Sequence, residues 1–328
     1  MKKESSTATI EAVGQAAFRI RELDGDRWIS QFVVLGSRMT LVVDAGLPDS
    51  PAEAVLPFLE QHDRLDPGHP LVVLLSHPDS DHCGGTSALL AAAPWCHAYA
   101  HVRDRTRLGS AARTIENRYL AHAADGVAPD EAALARLRTR LGGEYRVDRW
   151  LTGDVELSLG AGRRATIVEL PGHSPGHTGV WLAAERTLIA ADALMGFGIP
   201  NRTGGLKFAP QFFSPGVYRE TLARIEDLAP QTLLCAHEPT MTGAAVGAFV
   251  ADSRQAAAEL EALTIHAIEE GRATLTSTCE AVLGSYSRPL LCGPPDLAMA
   301  VAGILEDAIA MGEACASDER PRTFWRES

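Results

Sequence analysis

Lysine is nearly absent from this sequence: Lys2, Lys3 and Lys207 are the three in 328 residues, and arginine carries the rest of the positive charge. The Gly204-Gly205 element before Lys207 is too short for a phosphate-cradling P-loop, which excludes that class of nucleotide enzyme. Cysteine is sparse. Cys83, Cys96, Cys235, Cys279, Cys292 and Cys315 form no C-x-x-C pair, which argues against a disulfide framework or a zinc ribbon and fits free thiols in a reducing cytoplasm. No apolar run approaches the roughly 18 residues of a membrane-spanning helix, and the opening MKKESSTATI lacks the apolar stretch of a secretory signal. A soluble, cytoplasmic protein that does not engage a membrane is expected. Ser76, Ser174 and Ser214 lack a G-x-S-x-G elbow, so a serine hydrolase is unsupported.

Net positive charge is lacking as well. The formal charge of -12 repels phosphate backbones and speaks against nucleic acid as a partner. The balance is uneven, because residues 103–149 hold ten arginines against seven acids. If this stretch borders an active site, a small anionic substrate is expected. What the chain does have is core: 46% hydrophobic residues over this length support one large domain, or a catalytic domain with a small appendage.

Short β-rich runs at Thr9–Val13, Phe18–Leu23, Trp28–Gly36 and Met39–Asp44 predict a meander, and Asp49-Ser50-Pro51 predicts a helix start. Leu71–Ser76 is a continuous apolar run of the kind that forms a strand buried on both faces. A helix over 84–92, a strand at 96–100 and a long Arg-rich helical stretch to about Leu141 follow. From Asp154 a second β-half begins, with strands near 155–159, 165–170, 179–183, 187–191 and 232–235 and a helix over about 216–228. Beyond Gly243 the spacing is helical, an S-x-x-E pair at Ser277 and Glu280 predicts a capped helix, and residues 313–325 predict a short hairpin. The domain expectation is therefore a catalytic domain over 1–242, with 103–150 as an Arg-rich helical insertion serving as lid or rim, and a helical, winged-helix-like domain over 243–328. Tyr119 and Trp150 are candidates to wall a pocket at the insertion, with ordinary core burial the alternative for both.

The chemistry concentrates in residues 76–85, SHPDSDHCGG, where His77, Asp79, Asp81 and His82 lie within six positions just after the buried strand. A divalent cation would neutralise and order such a cluster, which is costly to bury otherwise. His173 in PGHSPGHTG, Asp192 in LIAADAL and His237 in LLCAHEP each follow another predicted strand. Singly each would read as a loop or turn residue; their order makes them a set.

That order, with Asp44 in VVDAG at its head, resembles the metallo-β-lactamase superfamily, in its hydroxyacylglutathione-hydrolase-like branch, over about residues 9–242. The resemblance implies an α/β fold, a four-layer αβ/βα sandwich, here with a small C-terminal helical domain. It implies one metal site of His77, Asp79 and His173, a second of Asp81, His82 and His237, Asp192 bridging them, and Asp44 supporting ligands. Asp79 departs from the family's H-x-H-x-D-H, standing where the second histidine is expected, and is similar to the carboxylate variants of flavodiiron proteins. An extra anionic ligand makes the site harder and favours manganese or iron more than usual, with zinc still first and two ions expected. His177 reads as a partner of ligands.

The implied function is a metal-dependent hydrolase in which a metal-activated hydroxide attacks an ester, lactone, thioester or amide carbonyl, with Asp81 orienting the water and relaying its proton. Lys207 is a candidate grip for a substrate carboxylate. The alternative is a phosphodiesterase or ribonuclease of the same fold, against which residues 240–328 set six arginines and thirteen acids. A diiron redox protein or a noncatalytic binding protein ranks lower, since no flavin domain follows His237 and the ligand set is nearly complete. A homodimer is a candidate assembly.

Overall fold

The computed structural model describes residues 8–326. Seven strands form the first sheet in chain order: β1 (Thr9–Val13), β2 (Ala17–Asp24), β3 (Arg27–Val34), β4 (Thr40–Val43), β5 (Leu71–Leu75), β6 (Cys96–His101) and β7 (Arg149–Leu151). The pairs from β1 to β4 are antiparallel and those from β4 to β7 parallel, which marks the change from meander to strand–helix alternation. The second half supplies β8 (Val155–Gly160), β9 (Arg163–Glu169), β10 (Thr178–Leu182), β11 (Thr187–Ala191), a short pair β12 (Ile199–Pro200) and β13 (Leu206–Phe208), then β14 (Thr232–Cys235) and β15 (Met241–Thr242). Its sheet runs β15-β14-β11-β10-β9-β8, with β11 and β14 parallel.

Side-chain alternation sorts these strands into layers. In β4 and β5, Leu41, Val43, Val72 and Leu74 point between the sheets, where they meet Ile167, Val180, Ile189 and Leu234. Their neighbours Val42, Val73 and Leu75 face outward onto Val55, Phe58 and Leu89. Phe58 belongs to α1 (Leu56–Gln61) and Leu89 to α3 (Thr86–Ala92), separated in the chain by the single-turn α2 (Ser80–Cys83). On the other side, Val168, Leu188 and Leu233 pack against the later helices. The result is helix, sheet, sheet, helix, the expected αβ/βα sandwich.

The Arg-rich stretch is not one long helix. It is broken into α4 (Ala111–Thr114), a wider turn at Ile115–Tyr119, a tight turn at Ala123–Asp125 and α5 (Glu131–Arg140). Gly126 at φ 84° and Pro129 enforce the break, and Asp130 caps α5 by accepting from the Ala133 N–H. The buried Asp125 carboxylate is gripped by Arg320 and Arg322 near the other end of the chain.

After α6 (Pro215–Leu228) the chain forms α7 (Ala244–Glu269), α8 (Leu275–Ser285), α9 (Pro294–Ala310) and a ribbon of β16 (Ala314–Ala316) with β17 (Phe324–Arg326). The cap of α8 lies three residues before the expected one. Thr274 caps it by accepting from the Ser277 N–H, and Ser277 Oγ accepts from the Thr274 N–H in return. Starting there puts Leu275, Cys279 and Val282 on the buried stripe, which outweighs the Ser277–Glu280 box. α7 to α9 share one apolar core with the second sheet. None of the described helices is long and apolar enough to cross a membrane.

Gly303 lies within α9 where the Phe213 backbone crosses; a Cβ there would sit 2.3 Å from the Phe213 carbonyl oxygen. Gly→Ala inside a helix ordinarily stabilises by roughly 0.5–1 kcal/mol. Gly303→Ala is expected to do the opposite, destabilising by about 2 kcal/mol or more as α9 is pushed off its neighbour. Urea unfolding checks the sign.

Candidate metal centre

The seven expected side chains arrive from one edge of the two sheets. His77 follows β5, while Asp79, Asp81 and His82 sit on and beside α2; His173 lies on the β9–β10 loop, Asp192 follows β11 and His237 follows β14. Two of the strand exits are conformationally forced. Asp44 and Ala191 hold φ of 66° and 46°, a left-handed geometry costly for non-glycine residues, and these turns aim Asp44 and Asp192 inward.

Three groups of potential ligands form within this cluster: His77, Asp79 and His173; His77, His82 and Asp192; and Asp81, His82 and His237, each with ligand atoms within 4.8 Å of one another. The outer nitrogens of these rings are all taken. Nδ1 of His82 meets the Asp44 carboxylate at 2.7 Å, Nδ1 of His173 the Gln211 carbonyl at 3.0 Å, and Nδ1 of His237 the Trp28 carbonyl at 2.8 Å. Carbonyls and carboxylates only accept, so these Nδ1 atoms carry the proton and a neutral ring presents its Nε2 lone pair inward. His77 Nδ1 lies 2.9 Å from Ser76 Oγ, which donates to Asp44, and Asp44 also accepts from the Ser76 N–H.

The interior is short of protons. His173 Nε2 faces Asp79 Oδ2 at 3.1 Å and His237 Nε2 faces Asp192 Oδ2 at 3.1 Å. The Nε2 atoms of His77 and His82 and Oδ1 of Asp192 are buried with no hydrogen-bond partner among the described residues. Burial, with His82 and His173 alongside, pushes His77 well below the usual imidazole range, so it stays neutral. Burial also opposes a charge on His82, but Asp192, Asp44 and Asp81 together push that ring well above the usual range, so a proton and a metal compete for its Nε2. Burial alone would raise the Asp192 carboxyl, but His237 and His82 hold it well below the usual carboxylate range. Lone pairs facing lone pairs in a buried site call for added protons or a cation between them, and the mixed imidazole–carboxylate donor set fits divalent metals. His177 stacks on His77 at 5.0 Å, and its Nε2 accepts from the Asp192 N–H, so it supports two members of the cluster without facing its centre.

The cluster opens into a cavity of about 630 Å³. Asp79, Asp81, His173 and Asp192 form part of its wall; the insertion adds Arg118, Tyr119, Arg136 and Arg140, and α9 adds Asp296 and Met299. Tyr119 takes its expected place on the wall, and its hydroxyl accepts from the Ser80 N–H. Trp150 does not line the cavity; it packs with the outer core of the first sheet, under the Arg105 guanidinium. Lys207 reaches the wall, yet its ammonium pairs with the half-exposed Asp26.

Four residues outside the expected set tie the site down. Arg118 donates to both oxygens of Asp79, at 2.9 and 3.0 Å, and to Gln211 Oε1 at 2.9 Å. Arg27 reaches Asp81 at 2.9 Å and Asp24 at 3.1 Å through Nε. Arg140 forks onto Asp24 and touches Ser80. Arg19, fully buried in β2, donates to Ser30 and to the carbonyls of Cys235, Ala236 and Glu238, clamping the His237 turn onto the other sheet. No local pattern announces such long-range pairs; the one available signal was arginine at an inward strand position.

The profile of the Metallo-beta-lactamase superfamily matches residues 26–237, most of the chain and all seven of these clustered side chains. The chain belongs to that superfamily. A 169-residue stretch is 28% identical to a hydroxyacylglutathione hydrolase of Bdellovibrio bacteriovorus, covering 51% of this chain and 49% of that protein. A 143-residue stretch is 29% identical to the hydroxyacylglutathione hydrolase of Rhodospirillum rubrum, covering 43% and 51%. The chain thus spans about half the length of these relatives. Among solved structures, a metallo-β-lactamase family protein of Thermus thermophilus superposes with TM-score 0.68 at 19% identity over 92% of this chain and 94% of its own. A β-lactamase domain protein of Burkholderia ambifaria gives 0.67 at 19% identity over 97% and 94%. Both extend the likeness in fold through the C-terminal helices.

Proposed function

We propose that this superfamily member is a metal-dependent hydrolase acting on an ester, lactone, thioester or amide carbonyl of a small anionic molecule. The observation that carries the reading is the convergence of four histidine Nε2 atoms and three aspartates on one proton-poor, buried centre beside a cavity. His77, Asp79 and His173 would hold one ion and Asp81, His82 and His237 the other, with Asp192 between them; zinc is the first choice, and the carboxylate content admits manganese or iron. Bound ions supply an acidified water and an electrophilic anchor for the carbonyl oxygen. Asp81, which pairs with Arg27, would orient the attacking water and pass its proton to the leaving group. The names of the two matched relatives favour acyl chemistry over phosphodiester cleavage.

The test is metal analysis of the purified protein joined to a panel of lactones, thioesters, esters, β-lactams and phosphodiesters. Acyl turnover lost to a chelator and restored by zinc is expected. Full activity in metal-free protein, or turnover confined to phosphodiesters, would overturn the reading. Lys207 would meet an anionic substituent at the rim. Because it is partly exposed and shared with Asp26, Lys207→Met is expected to raise KM at most about fivefold with kcat held. An unchanged KM across anionic substrates removes it from binding.

A further inference from the structure

We infer that Arg118 makes the two cation sites unequal: by gripping both oxygens of Asp79 it withholds that carboxylate from the first site, so the second site fills first. The inference rests on the metal-dependent reading above and concerns how the centre is loaded.

The two sites face different competitors. Asp79 Oδ1 accepts from Arg118 Nε at 2.9 Å and Oδ2 from Nη2 at 3.0 Å, a forked pair in which each oxygen already serves a charged donor, and Oδ2 also faces His173. Such a fork is the strongest common arrangement for a carboxylate, and it lowers what either oxygen can offer a metal. The guanidinium itself adds a positive charge beside the first site. Arg118 is locked in place, since its Nη2 also donates to Gln211 Oε1, and Gln211 is anchored through its Nε2 to the Asp296 carbonyl and through its own carbonyl to His173.

The second site is less encumbered. Arg27 reaches one oxygen of Asp81, at 2.9 Å, and divides its guanidinium with Asp24. Asp192 would serve both ions and does not tell the sites apart. One ring of the second site, His82, is backed by the Asp44 carboxylate, which raises the donor strength of its Nε2, whereas His77 leans on a hydroxyl and His173, like His237, on a peptide carbonyl. Donor strength and the arginine fork therefore act in the same direction.

The experiment is an equilibrium zinc titration of metal-free protein against a chromophoric chelator, repeated with cobalt to read the spectrum of each site. Wild type is expected to bind one tight equivalent and a second that is weaker by about 10–100-fold. His237→Ala should remove the tight one and His77→Ala the weak one. Arg118→Gln should tighten the weak equivalent about tenfold or more while the first is unchanged. Should that variant fold poorly by circular dichroism, Arg118→Lys decides. It keeps the charge but cannot fork, and is expected to tighten the weak equivalent as well. Two equal equivalents in wild type, or a weak equivalent unmoved by either substitution, overturns the inference and leaves the hydrolase reading standing. A folded wild type that binds none of zinc, manganese and iron defeats that underlying reading instead.

Discussion

Asp192→Ala is expected to strip the centre of its cations and lower kcat/KM by about a thousandfold or more. This carboxylate faces both halves of the cluster: its Oδ2 lies 3.1 Å from His237 Nε2, 3.5 Å from His82 Nε2 and 3.9 Å from His77 Nε2. Without it, three buried imidazoles surround a gap with less negative charge to hold dications together. Asp192→Asn keeps the shape and loses the charge, so its effect should fall between wild type and alanine. Metal content by mass spectrometry and steady-state kinetics are read on the same preparation. An alanine variant that keeps both its metal and its rate would remove Asp192 from the centre.

Arg19→Met is expected to cost about 2–5 kcal/mol of stability, a large fold effect for a residue that touches neither cavity nor cation. Arg19 is 1% exposed, and its loss leaves the carbonyls of Cys235 and Glu238 without their donor in the space between the sheets. Each orphaned carbonyl costs roughly 1–3 kcal/mol. Part of that is offset because methionine carries no charge to desolvate; burial already lowers the Arg19 guanidinium to about 10. Urea unfolding reads the stability. The same variant should bind the tighter zinc equivalent more weakly, since Cys235 to Glu238 is the turn that presents His237. Wild-type stability with wild-type metal affinity would show that Ser30, which also donates to the Ala236 carbonyl, is sufficient.

The meeting of the seven side chains was legible because each segment that carries them follows a strand whose residues announced themselves. Leu71–Leu75 is wholly buried, as a continuous apolar run requires, and His77 stands two residues beyond its end. Asp44 was legible by its place after β4, though that it orients His82 and Ser76 at once could only be read from coordinates. What stayed hidden has a common cause. Arg118 lies 39 residues from Asp79 in the stretch where composition suggested unbroken helix, and Arg19 lies more than 200 residues from the turn it holds. Periodicity reports which face of an element is apolar; it carries no information on which polar residue is paired across the fold. Trp150 had two readings, pocket wall or core, since an aromatic near an arginine cluster can serve either, and it serves the core.

α9 performs two duties on opposite sides of one cylinder. Asp296 and Met299 look into the cavity, while Leu297, Val301, Ile304 and Leu305 are sealed into the core among α6, α7 and α8. Asp296 also accepts from the Gly293 N–H at the start of this helix, so retuning the wall at that position removes a cap from the same helix, and selectivity and robustness are coupled there. A new wall at Asp296 calls for a new cap.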